Sequence, residues 1–464
     1  MLLFFACAKP VAPEAAPEPA PVEIPEVGPQ RDFAPPVPQV ATLDNGATLW
    51  LVEDHELPIV SLSVLLPGGA TDDGAAWGRA SLAADMLTEG AGDRDALTFA
   101  SDLRLLATGI HASVTRTRTV VSLDTHRDRL AETLPILADV VLRPRFADED
   151  WDRVLDRSVN LAKQDREDGP VVAAQYGRMA LYGEDHPLGP PVHGTPATLE
   201  GLRLDDAKRW HASRLVAGES TFVVVGDLSL DDARTMLDEQ FASWPSETWS
   251  YREAQLDGEL PGVGKVLLVD LPGSAQTAIR VTVPAYTPGS DEAAAADLAG
   301  IVLGGSFTSR LNNLLREQKG YTYGARSWFS EGHLGTEFVA ATNVRTDATA
   351  DALTDLVGVL TGDAFTAEDR DKAASIARTD AIESVETRSG LNDALQDLLI
   401  RGVQPDGLQT ELAEAAAVTL DELNAARPWT QPDAGLVYLV GDHEVIGAPL
   451  EAAGFEVELV ELPE

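Results

Sequence analysis

Two kinds of hydrophobic spacing alternate along this chain. Short Val-, Leu- and Ile-rich runs, as in LWLVEDHELPIVSLSVLLPGG at 49–69 and KVLLVDLPGSAQTAIRVTVPA at 265–285, read as pairs of strands joined by turns. Between such runs lie longer amphipathic stretches with helical spacing: Asp93–Thr108, Arg127–Leu142, Asp148–Arg166 and Asp291–Leu303. The pattern from Thr366 to Arg401 predicts two helices whose spacing looks like core packing, with no chemistry assigned. Gly109 and Gly320 are expected to end helices ahead of strands. The fold class is therefore α+β, each sheet mostly antiparallel and covered on one face by helices.

The pattern repeats. Asp54 and Asp270 hold matching places 216 positions apart, and Val225 of FVVVGDL matches Val440 of VYLVGDH 215 positions later. Offsets this similar predict two duplicated domains facing each other across a cleft. The expected divisions are a leader and Pro/Ala-rich tether at 1–39, a first domain at 40–245, a linker at 246–262 and a second domain at 263–464. The linker falls in the Pro-, Gly- and acid-rich run from Trp244 to Gly264.

Charge and cysteine content narrow the function classes. The formal net charge of −40 repels phosphate backbones, so nucleic acid is not an expected partner. Acids scattered over amphipathic helices describe a solvated surface; an acidic chamber that draws in cationic peptides is the sharper alternative. The single cysteine, Cys7, follows MLLFFA and precedes a Pro/Ala-rich run, which resembles a bacterial lipoprotein leader on an extended tether. The apolar run is short and lacks a basic start, leaving the true initiator open. The expected location is the bacterial envelope, on the periplasmic side, with a lipid anchor at Cys7.

The segment IVLGGSFTSRLNNLLREQKGYTYG, 301–324, carries the candidate chemistry. Leu311, Leu314 and Leu315 share a helical face, Lys319-Gly320 reads as a stop, and alternation begins at Tyr321. Arg316 and Tyr323 thus flank a helix-to-strand junction, where a guanidinium and a phenol could aim donors at one carbonyl. The plainer reading is that Arg316 complements a helix dipole and Tyr323 is an ordinary strand residue. Gly304, Gly305 and Ser306 predict a tight connection using unusual backbone angles. Trp328 and Phe329 suit either core or cleft.

The wording of this segment resembles the C-terminal domain of the insulinase/pitrilysin family of zinc peptidases. The resemblance extends through VLLVDLPGSAQTAIRVTV, and the first half resembles the family's N-terminal domain from about Leu43 onward. It implies that Arg316 and Tyr323 bind the peptide substrate beside a metal. It also implies a zinc helix bearing His-x-x-Glu-His, but GRASLAADMLTEG puts Ser81 and Asp85 at the histidine positions and Ala84 at that of the glutamate. Counting on to the third ligand lands near Leu161 or Ala162, which cannot bind metal. None of His55, His111, His126, His186, His193, His211, His333 or His443 has a histidine three or four residues away. His186, in YGEDHPLG, reads as a turn residue, and His111 and His126 could meet only through tertiary folding.

No metal or other cofactor is therefore expected in this chain, and no catalytic residue acts in it alone. The resemblance implies a non-catalytic subunit: zinc sits in a homologous partner, an unfolded peptide enters between the two, and Arg316 and Tyr323 position its carbonyl. A non-enzymatic peptide-binding scaffold of the envelope is the alternative. A self-sufficient enzyme with relocated zinc ligands is a third.

Overall fold

The apolar runs become two six-stranded sheets. The computed structural model of the 464-residue chain describes residues 28, 31–245, 260–332, 334–429, 431 and 433–463. The Cys7 leader, most of the linker and His333 lie outside the described residues. Both sheets belong to the compact unit Pro35–Glu464.

The first sheet contains β1 (Gln39–Thr42), β2 (Thr48–Glu53), β3 (Ile59–Pro67), β4 (Gly109–Val114), β5 (Arg118–His126) and β6 (Thr221–Gly226). The second contains β7 (Val266–Asp270), β8 (Gln276–Pro284), β9 (Thr322–Gly332), β10 (Gly335–Arg345), β11 (Leu436–Gly441) and β12 (Val457–Val460). Their spatial orders are β1-β2-β6-β3-β5-β4 and, read from its far edge, β12-β7-β11-β8-β10-β9. Five strands therefore correspond place for place, as the sequence repeat requires. The sixth does not: β1 precedes β2 and runs antiparallel to it, whereas β12 comes from the chain's end and runs parallel to β7. Neighbours β2 and β6, and β7 and β11, are also parallel; the remaining pairs are antiparallel.

Each sheet buries one face under helices of its own half, including α1 (Arg79–Leu87) and α2 (Asp148–Asp165) in the first. The opposite faces are covered by exchange. Helix α3 (Gly169–Tyr182), from the first half, lays Val172, Ala173, Tyr176 and Met179 on Leu267, Val269, Ala278, Leu436, Tyr438 and Val440 of the second sheet. In the second half, α4 (Ala293–Gly300) and α5 (Ala367–Ser384) pack on their own sheet's helical side. Helix α6 (Arg388–Arg401) instead places Leu391, Leu395 and Leu398 on Trp50, Leu65, Val120, Val223 and Val225 of the first sheet. Each buried leucine contributes about 2 kcal/mol. Two helices thus form between Thr366 and Arg401 as the pattern predicts, but the second packs on the other half.

Local signals fix the exchanged helices. Asp168 accepts from the Val171 amide ahead of α3, and Thr387 accepts from the Gly390 amide ahead of α6. Gly402, at φ 77°, terminates α6. The expected helix stop at Gly109 is displaced. Ala107 takes the left-handed conformation, at φ 53°, and Gly109 is already the first residue of β4. Gly320 does adopt positive φ, at 64°. No helix of the described residues is long and apolar enough to cross a membrane.

A polar plug locks α6 to the first sheet. Buried Asn392 donates to the Ser61 and Val223 carbonyls, at 3.3 and 3.1 Å, and accepts from Ser63 Oγ and Gln396 Nε2, both at 2.7 Å. Truncation leaves several buried groups unpaired. Asn392→Ala is therefore expected to lower unfolding free energy by about 2–3 kcal/mol in denaturant titration; a loss under about 0.5 kcal/mol would contradict the plug.

His211 gives a pH signature. It donates from Nε2 to the Val141 carbonyl at 2.9 Å, packs edge-on to Phe146, and is held down to about 4 by burial. The unfolded chain takes up this proton near pH 6.5 while the folded chain resists until about 4. Its contribution is complete above 6.5 and shrinks as pH falls through that window, by about 3 kcal/mol in all. His211→Gln should flatten this part of the stability–pH curve relative to the parent.

Candidate functional site

The Arg316 and Tyr323 side chains line one cleft. Its volume is about 760 Å³, and its walls include Gly304, Gly305, Phe307 and Trp328. The chain reaches it through two wide helical turns. The first, Ile301–Gly305, extends α4; the second, Asn312–Gln318, presents Arg316 and ends with the Lys319 amide donating five residues back to Leu314 O. Leu311 and Leu315 are buried beneath, so the opposite side of this turn is free to face the cleft.

Gly304 and Gly305 do not serve through unusual angles, because neither has positive φ. Close approach is the reason for glycine at 304. A Cβ there would lie 2.3 Å from the Ser327 backbone nitrogen of β9, while Ser327 Oγ donates to the Gly300 carbonyl at 2.9 Å. Asn312 completes the junction: its Nδ2 donates to Ser306 O at 3.0 Å and its Oδ1 accepts from the Ala325 amide at 2.9 Å. Between Thr322 and Ala325 the pairing of β9 with β10 slips, and Tyr323 sits in that irregularity, 91% exposed. The predicted helix-to-strand junction is present, with Asn312 as a positioning residue that periodicity did not single out.

Arg316 is half-buried. Its guanidinium lies 4.3 Å from the Phe307 ring centroid and its Nε is 3.3 Å from Glu317. Glu317, its one acidic partner among the described residues, is exposed, so this pair is too weakly held to lock the guanidinium in place. Trp328 faces the cleft at 40% exposure, whereas Phe329 packs against Phe338 and Tyr286 as well as bordering it. The two candidate aromatics therefore divide between cleft and core.

The helix aligned with the zinc motif is α1, and its side chains do not fit a metal. Ala84 is buried, and Ser81 Oγ pairs with His193 Nδ1 at 2.8 Å. Asp85 meets Arg157 of α2, with Nη2 3.8 Å from its carboxylate. Burial raises the Asp85 carboxyl, while Arg157, His193 and a hydrogen bond from Ser158 oppose that rise. A guanidinium beside Asp85, the acidic side chain at an aligned histidine position, disfavours a second cation there. The α2 residues facing Asp85 are thus Arg157 and Ser158, one turn earlier than the counted positions; Leu161 is 52% exposed and Ala162 packs in the core. Among the described residues, no three His, Cys, Asp or Glu side chains are grouped to hold a metal. His186 sits in a turn, where its Nδ1 accepts from the Leu188 amide.

Residues 49–185 match the family model described as "Insulinase (Peptidase family M16)", and residues 201–376 match "Peptidase M16 inactive domain". The chain belongs to the insulinase family, as an inactive-type homologue of its zinc peptidases. A Helicobacter pylori protein described as the non-peptidase homolog YmxG is 25% identical over 60% of this chain and 64% of its own length, just under two thirds. An uncharacterized zinc protease of Mycobacterium leprae is 25% identical over 83% of this chain and 87% of its own. The crystal structure of a peptidase M16 inactive domain from Pseudomonas fluorescens shares the fold, with TM-score 0.80 and 23% identity over 87% of this chain and 98% of that one. A Helicobacter pylori protease structure has TM-score 0.77 at 16% identity, covering 88% and 100%.

The tight contact at Gly304 yields a test. Gly304→Ala must push the wide turn away from β9, lowering the melting temperature by several degrees, about 1–3 kcal/mol, and changing the fluorescence of Trp328. An unaltered melting curve would contradict the contact.

Proposed function

We propose that this chain is the non-zinc subunit of a peptide-degrading or peptide-processing complex. The observation that carries this reading is the contrast between its two halves. Arg316 and Tyr323 face one solvent-reached cleft, while the aligned zinc helix has lost every ligand position and holds a guanidinium instead. Zinc, the attacking water and the general base would belong to a homologous partner. This chain's share is to orient the peptide and to hold its carbonyl oxygen as negative charge develops there.

The donors suit that task. A guanidinium and a phenol both donate, and neither is sequestered by a buried partner among the described residues. The strand β9, which carries Tyr323 and Trp328, is the last in its sheet. An unfolded peptide added along such an edge would gain main-chain hydrogen bonds without strong sequence demands. Placement in the bacterial envelope, through a lipid on Cys7, belongs to the same proposal.

The relative described as a non-peptidase homolog favours a second reading, a peptide-binding scaffold with no part in hydrolysis. One reconstitution separates the two. The isolated chain should not cleave a fluorogenic unfolded peptide; mixed with a homologue bearing His-x-x-Glu-His, it should support zinc-dependent cleavage above that of the homologue alone. In the mixture, Arg316→Ala or Tyr323→Phe should reduce turnover about a hundredfold. A mixture no faster than the homologue alone, or variants with unchanged turnover, would favour the scaffold.

A further inference from the structure

The cleft beside Arg316 follows the free edge of β9. Seven consecutive residues, Tyr323 to Phe329, all line it. Side chains of successive strand residues point to opposite faces, so a cleft bordered by every one of them runs along the backbone margin rather than over one face. β10 pairs with the other margin in unbroken register from Ala325 to Gly332. Within that run Ala325 and Ser327 are buried, at 0% and 3% exposure, which turns Arg326 and Trp328 to the opposite face. The two lie about 7 Å apart along the strand.

Arg326 is exposed and makes no hydrogen bond or ion pair among the described residues. The chain has 75 acidic residues to 35 Lys and Arg, so the missing carboxylate is not for want of acids. Trp328, half-exposed, carries the Arg280 guanidinium 5.6 Å from its ring centroid. Among the described residues lining the cleft, Asp297 is the one carboxylate, and it accepts from the Tyr286 hydroxyl at 2.9 Å. Two guanidiniums, those of Arg316 and Arg326, share the same walls. Glu337 belongs to this face of the sheet, but it stands opposite Ser330, four positions past Arg326, and is held by Arg178 of α3. Four positions span about 13 Å of strand, beyond the screening length of about 8 Å at physiological salt.

We infer that Arg326 and Trp328 select the peptide that enters this cleft, favouring an extended segment with an acidic side chain two positions from an aromatic one. Residues of a strand added at the edge lie directly opposite those of β9, with Cβ atoms about 5 Å apart. The period of two then brings every second peptide side chain to the face of Arg326 and Trp328. A carboxylate opposite Arg326 gains a charge-assisted hydrogen bond, and a ring opposite Trp328 gains stacking and burial. An acid and a ring on adjacent positions fall on opposite faces and reach one of the two residues at most. Selection of this kind rests on the strand addition proposed above. It is nonetheless a property of the isolated chain, so it can fail while hydrolysis by a reconstituted pair succeeds, or succeed while that hydrolysis fails.

Fluorescence anisotropy of end-labelled, blocked heptapeptides titrated with the full chain is the test. The parent peptide is threonine throughout except for tryptophan at its fourth place and glutamate at its second and sixth, a symmetric spacing that serves either strand direction. It is expected to bind about fivefold tighter than versions with glutamine or lysine in place of glutamate, and than a version with the tryptophan moved to the fifth place. Arg326→Gln should remove the preference for glutamate over glutamine, and Arg326→Glu should turn it toward lysine. Trp328→Ala should erase the advantage of the parent spacing. Arg326 is exposed, so its variants are expected to keep the parent melting temperature. Equal affinity for the glutamate and glutamine peptides would overturn the selection, as would a preference that survives Arg326→Gln or the absence of binding by any peptide. Tightest binding by the lysine peptide would overturn it in favour of an acidic chamber.

Discussion

The architecture depends on an exchange of helices between its halves. Each sheet has a second apolar face that its own half leaves uncovered, and each half sends one helix, α3 or α6, to cover the other's. Separating the halves would expose Trp50, Leu65, Val223 and Val225 on one side, and Leu267, Tyr438 and Val440 on the other. Patches of that kind do not persist on soluble surfaces. The two halves are therefore held in one arrangement by buried area, with Asn392 and the Arg178–Glu337 pair adding direction at each crossing.

That rigid arrangement gives the candidate site its frame. The Arg316 turn is fastened at three points: leucines beneath it, Gly304 against β9, and Asn312 spanning loop and strand. What stays exposed is chemistry, with Arg316 held loosely over Phe307 and Tyr323 standing free at the strand irregularity. The equivalent effort on α1 has gone elsewhere. Its surface is closed by Ser81–His193 and Asp85–Arg157 contacts, which stabilise the packing of two helices without offering a metal any ligand set. The α1 helix that offers no metal site and the cleft lined by Arg316 and Tyr323 lie in different halves.

Much of this was legible in the residues. The strand, turn and helix spacing gave the duplicated α+β design, and the apolar face with its Lys-Gly stop located the Arg316 junction. The helix exchange was not legible from periodicity, although one signal pointed there. FVVVG and VYLVG are continuous rather than alternating, which marks strands buried on both faces. Gly109 misled because position, rather than residue type, set the helix stop at Ala107. Gly304 was read as a conformational glycine when its constraint is the 2.3 Å approach of a neighbouring strand, which no local pattern encodes. That Arg157 and Ser158 face Asp85 was not legible either, since helix registry across α1 and α2 is decided by packing.

The unmatched sixth strands have a bearing on how this protein can be attached to other things. β1 and β12 enter their sheets at the edges opposite β4 and β9. A label or surface joined behind β12 therefore starts from the sheet edge farthest from β9, the margin that carries Tyr323.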